Sequence, residues 1–436
     1  MERFEKMENM RQTSRDVAET KSNRNEKLWN IDFLLLWQGQ LVSSLGDTVY
    51  GIALGFWILK VTGSTALMGT LMATSSLPRI IISPFAGVIV DRANRKLMLV
   101  TMDVIRGVTV VFIAIAAFAG FIQIWMVFAV GIIRSICGAF FGPAVGSSIP
   151  DIVPKSKIVR AQSAMSVIYA GSGILGNSAG GFLFQWLGAA LMFLADGISY
   201  LFSALTECFI RIPKIERTIQ DFHFWMDLKS GMRFVWNFRG MRYLFLMASV
   251  LNFFANLGIF LILPLFERTQ HLGPSRYGVT MAFLATGALL GFLLTSLIDI
   301  KPTQRFTIFV CCAIVMSLAF AAFPVYTQLS VMCPLMFVSG FTNAILNAFI
   351  GAIVQLTVPQ DLRGKVFSFL GTLSGGLTPI AVALAGVLAE FLPIRVLISS
   401  SFLITLLLFI PLLFSMSFRR FINFDPKRDT LEDVVA

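Results

Sequence analysis

Charge is what this sequence lacks: Asp, Glu, Lys and Arg make up 14% of its 436 residues, where a soluble domain carries about a quarter. Histidine is scarcer still. His223 and His271 both fall in loops, and neither belongs to a His-Glu-x-x-His metal pattern. There is no Gly-x-Ser-x-Gly elbow and no Gly-x-x-x-x-Gly-Lys-Ser/Thr phosphate loop, so hydrolytic and nucleotide-driven chemistry have no foothold. An enzyme is not expected, nor a catalytic residue or a cofactor. Of the five cysteines, Cys137, Cys208, Cys311 and Cys312 lie in apolar stretches and Cys333 near the end of one, without ligand-like spacing. Free thiols and no metal are expected. Residues 1–28 are polar and charged and lack the short apolar run and cleavage site of a secretory leader, which leaves the first long apolar run as the targeting signal.

Hydrophobic residues fill the space left by charge, at 56% of the chain and a mean hydropathy of +0.78. Apolar runs recur from Phe33 to Met416, each long enough to cross a hydrocarbon core of about 30 Å as a helix of about 20 residues. A barrel would show shorter, alternating segments instead. The spans are expected at 31–59, 66–90, 97–119, 122–149, 162–187, 190–210, 243–266, 277–298, 306–325, 329–356, 367–390 and 395–416. That is an all-α membrane protein of twelve transmembrane helices.

The net charge of +11 does not point to nucleic acid, because the basic residues follow topology. Of 35 Lys and Arg, 28 fall in the terminal segments and the loops that an even number of crossings puts on one face; only Lys60, Arg268, Arg276 and Arg395 fall on the other. Positive charge is retained inside the cell, so both termini are expected in the cytoplasm.

The one long polar interruption divides the chain. It gives a cytoplasmic arm (1–30), a six-helix bundle (31–212), a central cytoplasmic loop (213–242), a second six-helix bundle (243–418) and a tail (419–436). Duplication is visible in the echo between IPDIVPKSKIVRAQSAMS (149–166) and VQLTVPQDLRGKVFSF (354–369). Their Val-Pro pairs, Val153-Pro154 and Val358-Pro359, stand 205 residues apart, near half the chain, as two parallel repeats require. In the central loop Trp225, Leu228, Met232 and Val235 recur at helical spacing beside Lys229, Arg233 and Arg239, which predicts an amphipathic helix on the inner leaflet.

The sharpest motif is Gly87-Val-Ile-Val-Asp91-Arg92-Ala-Asn94-Arg95-Lys96, in the turn between the second and third spans. Gly87 permits close helix packing, Asp91 can accept from a neighbouring helix end, and Asn94 tolerates a left-handed backbone. The stretch resembles the loop signature of the major facilitator superfamily, Gly-x-x-x-Asp-Arg-x-Gly-Arg-Arg/Lys, with Asn94 in place of the second glycine. Asp299-Ile-Lys301-Pro-Thr-Gln-Arg305 is a weaker counterpart after the eighth span. The resemblance implies the major facilitator fold of two six-helix repeats and a latch at Gly87, Asp91, Arg92, Arg95 and Lys96.

It extends along the chain. Arg134-Ser-Ile-Cys-Gly138 looks like the family's Arg-x-x-x-Gly motif, implicated in proton transfer. Gly176-Asn177-Ser-Ala-Gly180-Gly181 looks like the antiporter motif Gly-Pro-x-x-Gly-Gly, with Asn for Pro; Gly176 and Gly180 also form a small-xxx-small face open to any helix pair. With Leu45-Gly-Asp47, Asp196-Gly-Ile-Ser-Tyr200 and Arg211-Ile-Pro213, the pattern is similar to the macrolide-efflux branch, which includes siderophore and natural-product exporters.

Asp47, Arg79, Asp103, Arg106, Arg134 and Asp196 fall inside spans, and each unpaired charge near a helix centre costs roughly 2.5–3.5 kcal/mol to insert. They must face protein or water. All six lie in the first half, which places ion coupling there. Asp47, beside Gly46 and Thr48 with no basic residue within a turn, is the candidate proton carrier, with Arg134 as counter-charge; a structural hydrogen-bonding role and direct binding of a cation are the alternatives. Asp103 and Arg106 stand three apart, so they either join the coupling or pair locally.

The second half offers amides. Asn252 with Asn256, and Asn343 with Asn347, each share a helix face, and the resemblance puts their spans on the central cavity. Amid Phe253, Phe254, Phe260, Phe341 and Phe349 they suit a bulky amphipathic cargo, or they bond helix to helix. The resulting expectation is a monomer in the lipid bilayer of a bacterial plasma membrane. It exports small amphipathic or lipophilic compounds such as macrolide-type drugs or natural products, in exchange for protons. Export of an endogenous siderophore or secondary metabolite, and proton-coupled uptake by symport, are the alternatives.

Overall fold

A computed structural model of the chain describes residues 28–212, 236, 239–298, 300–358, 366 and 375–424. The proposed surface helix of the central loop, Asp299 and Pro359 lie outside the described residues. The first half comprises α1 (Ile31–Thr62), α2 (Thr65–Arg92), α3 (Arg95–Phe118), α4 (Ile124–Ile152) and the stretch Ile158–Cys208. The second comprises α7 (Arg239–Phe260), α8 (Ile262–Arg268), α9 (Gly273–Leu297), α10 (Pro302–Ala322), α11 (Leu329–Thr357), α12 (Thr378–Phe391), α13 (Ile394–Phe414) and α14 (Met416–Ile422).

Ten of the helices among the described residues are long and apolar enough to cross a membrane. One of them, the 51-residue stretch Ile158–Cys208, would reach about 76 Å if straight, more than twice a hydrocarbon core. It is broken at Gly188, whose φ of 70° and ψ of 172° no other residue adopts without strain, giving α5 (158–187) and α6 (189–208). The contacts with α1 show the reversal. Gly176 and then Gly180 meet Thr48 and then Ile52, running with α1, whereas Asp196 and Ser199 meet Gly46 and Ser203 meets Gly39, running against it. The expected eleventh span is described over 14 residues, Thr378–Phe391.

Local signals fix the helix ends. Asn30 caps α1 by accepting from Phe33 N–H at 2.8 Å, and its amide donates to Ile152 O at 2.7 Å, tying α1 to the end of α4. Gly63 ends α1 in the left-handed region at φ 67°, and Ser64 then caps α2. Asn94 also caps: its side chain accepts from Leu97 N–H at 3.2 Å with φ −72°. The left-handed backbone expected for Asn94 is therefore not adopted, because the turn is an ordinary helix start.

Three apolar clusters set the shape. The largest draws on both halves, uniting residues such as Phe56, Met68 and Phe193 with Leu261, Phe266 and Ala385, at the end of the bundle remote from the termini. At the terminal end each half has a separate cluster. One gathers Phe33, Leu36, Val145 and Ile168; the other Met241, Phe309, Ile353, Phe418 and Phe421. Among the described residues, one cluster joins the halves at one end and each half has its own cluster at the other. Glycines make the join tight: a Cβ on Gly69 of α2 would sit 2.7 Å from Val382 O of α12, and one on Gly278 of α9 would sit 2.6 Å from Ser178 O of α5.

Candidate functional site

Small residues let α6 lie between α1 and α3 with its polar face inward. A Cβ on Gly39 would come within 2.9 Å of Ser203 Oγ and Thr206 Oγ1, and one on Gly46 within 2.6 Å of Asp196 Oδ1. On the α3 side, a Cβ on Gly107 would meet Leu201 at 2.8 Å and one on Gly197 would meet Val111 N at 2.9 Å. The helical period then stacks Asp196, Tyr200, Ser203 and Glu207 on one face of α6, opposite Gln40, Ser43, Asp47 and Tyr50 of α1.

Arg134 of α4 is the centre of this assembly. Its Nη2 donates to Asp47 Oδ1 at 2.5 Å and to Tyr200 Oη at 3.3 Å, and stands 3.3 Å from Asp196 Oδ2. Its guanidinium lies 3.7 Å from the centre of the Tyr50 ring. The Tyr200 hydroxyl in turn donates to Asp47. Asp47 thus has a basic partner, supplied by another helix. Its side chain is 46% exposed, whereas Asp196 is fully buried, so Asp47 is the carboxyl of this group that water reaches.

A second ionic group adjoins the first. Asp103 accepts from Arg106, whose guanidinium stacks 4.1 Å from the Phe141 ring and 4.6 Å from Tyr200. Tyr200 therefore lies between the two arginines. Glu207, absent from the six charges read in the spans, completes the group: it is fully buried and its Oε1 accepts from Ser203 at 3.5 Å. Four carboxyls therefore share two guanidiniums. If every group were ionised the cluster would carry a net charge of −2 in a region where one uncompensated buried charge costs several kcal/mol. Arg79 is exposed and stands apart, its backbone N–H donating to Ser135 Oγ at 3.0 Å.

The other residues singled out in the sequence fall in three places. Arg95 binds Asp151 at the end of α4 and donates to Ser147 O at 3.3 Å, so this member of the latch motif is engaged within its own half. Lys96 is half-buried in the first turn of α3. The side chains of Asp91 and Arg92 lie outside the described residues. Among the described residues a Cβ on Gly87 would meet nothing within 4 Å.

The antiporter-like stretch is a junction. Gly176 and Gly180 pack on Thr48 and Ile52, one turn beyond Asp47, while Gly181 faces Pro274 O and Gly278 of α9 in the other half. Asn177 turns its amide back to Gly173 O at 2.7 Å. One helix thus touches both the Asp47 segment and the opposing half.

Asn252, Asn256, Asn343 and Asn347 come together around one cavity of about 310 Å³ between α7, α10, α11 and α13. The aromatic neighbours differ from those expected. Phe309, Phe409 and Phe418 line the cavity, while Phe253, Phe254, Phe260, Phe341 and Phe349 do not, because they project from other faces of α7 and α11. Among the described residues that line it none is a carboxylate, a histidine or a basic side chain. Sequence reasoning also missed a polar seal where the halves meet. Glu390 of α12 accepts from Ser64 Oγ at 2.9 Å, Thr65 Oγ1 at 3.0 Å and Ala66 N–H at 3.0 Å, at the start of α2. Arg268 stands 3.6 Å from Glu390 and donates to Gly63 O.

Residues 27–434 match the family model described as transmembrane secretion effector. The chain is 25% identical over 374 residues to macrolide efflux protein A of Streptococcus pyogenes, covering 83% of this chain and 90% of that protein. It is 22% identical to the multidrug efflux pump Tap of Mycolicibacterium fortuitum, covering 82% and 89%. Its fold matches a bacterial homologue of the human lysosomal transporter Spinster, solved inward-facing and unoccupied, with a TM-score of 0.65 at 15% identity over 90% of this chain and 98% of that one. The chain belongs to the transmembrane secretion effector family and is a macrolide-efflux-like transporter of the major facilitator superfamily.

Proposed function

We propose that this transporter exports small amphipathic compounds, macrolides among them, in exchange for protons, by alternating access of twelve helices in two six-helix repeats with both termini in the cytoplasm. The observation that carries the reading is the four-carboxyl, two-guanidinium cluster with its one water-exposed member, Asp47. A carboxyl that meets water from a cleft and shares its arginine with a buried neighbour can be loaded on one side and unloaded on the other. Positive charge on the terminal side makes that side cytoplasmic, so the sealed end bearing Glu390 faces outward and the cleft opens inward. The direction of transport follows the efflux proteins that the chain resembles along most of its length. The amide-lined cavity of the second half receives the cargo, and Asp91, Arg92, Arg95 and Lys96 latch the inner ends in the opposite state.

In inside-out vesicles, an imposed proton gradient drives a labelled macrolide inward. Asp47→Asn abolishes that drive while leaving cargo binding partly intact. Accumulation that survives collapse of the gradient, or that is unchanged in Asp47→Asn, refutes proton coupling at this site.

A further inference from the structure

Within the cluster, two pairs are close to neutral: Arg134 with Asp47, and Arg106 with Asp103. That leaves Asp196, which shares Arg134, and Glu207, which has no cation within 4 Å among the described residues. The groups that face Glu207 are Asp103 and Arg106 from α3, Ser203 from its own helix and Gln40 from α1. Arg106 is already committed to Asp103, whose charge repels a second carboxylate. Among the described residues the Glu207 Oε2 atom and the Gln40 Nε2 atom are both buried and neither makes a hydrogen bond of ordinary geometry, although the two side chains face each other; Gln40 itself is 3% exposed. A carboxylate here would be an unpaired charge beside another anion. A neutral acid group there would donate from Oε2 to the Gln40 amide once that amide presents its oxygen, while Oε1 still accepts from Ser203.

Position gives that proton a use. Glu207 sits at the terminal end of α6, and Asp103 lies eight residues into α3, about 12 Å from its start. Resting on the proton-coupled reading above, we propose that Glu207 is a second proton-binding residue, carried as a neutral acid in this conformation between the Asp47 site and the inner face. Ionisation breaks the Oε2–H bond and passes the proton to water at the inner face, and Arg106, turning from Asp103, then takes the charge. The two carboxyls so compete for one guanidinium, which links the state of Glu207 to the ion pair beside Tyr200.

The test uses the full chain in nanodiscs of neutral lipid. Infrared spectra at neutral pH in water and deuterium oxide show a buried carboxylic-acid carbonyl band that is missing from Glu207→Gln. Because glutamine copies the shape of the neutral acid, Glu207→Gln unfolds at the wild-type temperature, and Glu207→Asp restores an acid band. In inside-out vesicles the variant moves fewer protons per macrolide than the wild type. A band whose intensity is unchanged in Glu207→Gln overturns the assignment, since the neutral acid is then another carboxyl such as Asp196, and so does a variant that unfolds well below the wild-type temperature, since an uncharged isostere of a neutral acid leaves the packing intact. So does a band that emerges only when sodium is withdrawn, which would place a metal cation there. If wild-type vesicles ignore the gradient, proton-driven export fails, whereas the infrared result speaks to Glu207 alone.

Discussion

The two halves keep polar atoms inside a membrane in different ways. The first holds ionisable groups deep between α1, α3, α4 and α6, with Asp103, Asp196 and Glu207 fully buried. The second keeps its described ionisable residues near helix ends, as with Arg268, Arg305, Glu390 and Arg395, and lines its cavity with amides and hydroxyls. Amides bond without changing charge, so they suit recognition that is independent of pH. Buried carboxyls cost several kcal/mol unless paired or protonated, and that cost is what makes them responsive to a proton gradient. On the proposed reading, the comparison separates energy coupling from cargo binding along the sequence.

The largest test of that separation is Arg134→Ala. It strips Asp47 of its guanidinium bond and Asp196 of its ion pair with Arg134, so stability falls by about 3 kcal/mol or more, measured by thermal unfolding in detergent, and gradient-driven accumulation is lost. Asn252→Ala, a truncation in the other half, costs about 1 kcal/mol, because among the described residues its amide donates to Ala248 O alone. Equal losses in the two variants would erase the contrast.

That contrast was partly legible in the sequence because helical period and charge placement are local properties. The apolar runs and the two asparagine pairs follow from spacing and from the cost of charge in hydrocarbon, whereas bringing Asp47 to Arg134 and the two pairs to one cavity needed the family resemblance. Glu207 was within reach: Asp196, Tyr200, Ser203 and Glu207 recur at four- and three-residue steps on one helix face. Set inside the expected span 190–210, that stripe marks a buried polar seam. The phenyl rings of the cavity were not legible, since Phe309 and Phe409 come from helices far apart in sequence. Nor was the seal at Glu390, because its partners lie 324–326 residues away and nothing local to Glu390 distinguishes it from a solvated helix end.

A smaller effect is expected at that seal, where both halves contribute. Glu390→Gln keeps the shape of the acceptor but removes its charge, weakening three hydrogen bonds and the approach of Arg268. Half-exposed charge-assisted bonds of this kind are worth about 1–2 kcal/mol together, so the population open at this end rises by about tenfold. Distances between spin labels on the starts of α2 and α9, one in each half, read the shift directly. No change in that distribution would mean that the apolar cluster beneath holds the halves without help from the seal.

The finest division lies inside the cavity. Asn256 donates its amide N–H to Asn252 O at 2.8 Å, and Asn347 donates to Asn343 O at 2.9 Å, so their own carbonyl oxygens are left to face the space between α7 and α11. On the proposed reading, such a lining accepts hydrogen bonds from cargo hydroxyls. Asn256→Leu removes one acceptor and adds apolar surface, which raises KM for a hydroxyl-rich macrolide by about fivefold, the worth of one neutral hydrogen bond. For a lipophilic cargo without hydroxyl donors the same substitution lowers KM. Initial rates in vesicles at fixed gradient measure both, and the number of protons moved per cargo stays at the wild-type value in each case. A changed proton count in Asn256→Leu would show that charge in the first half and recognition in the second are coupled through the cavity wall itself.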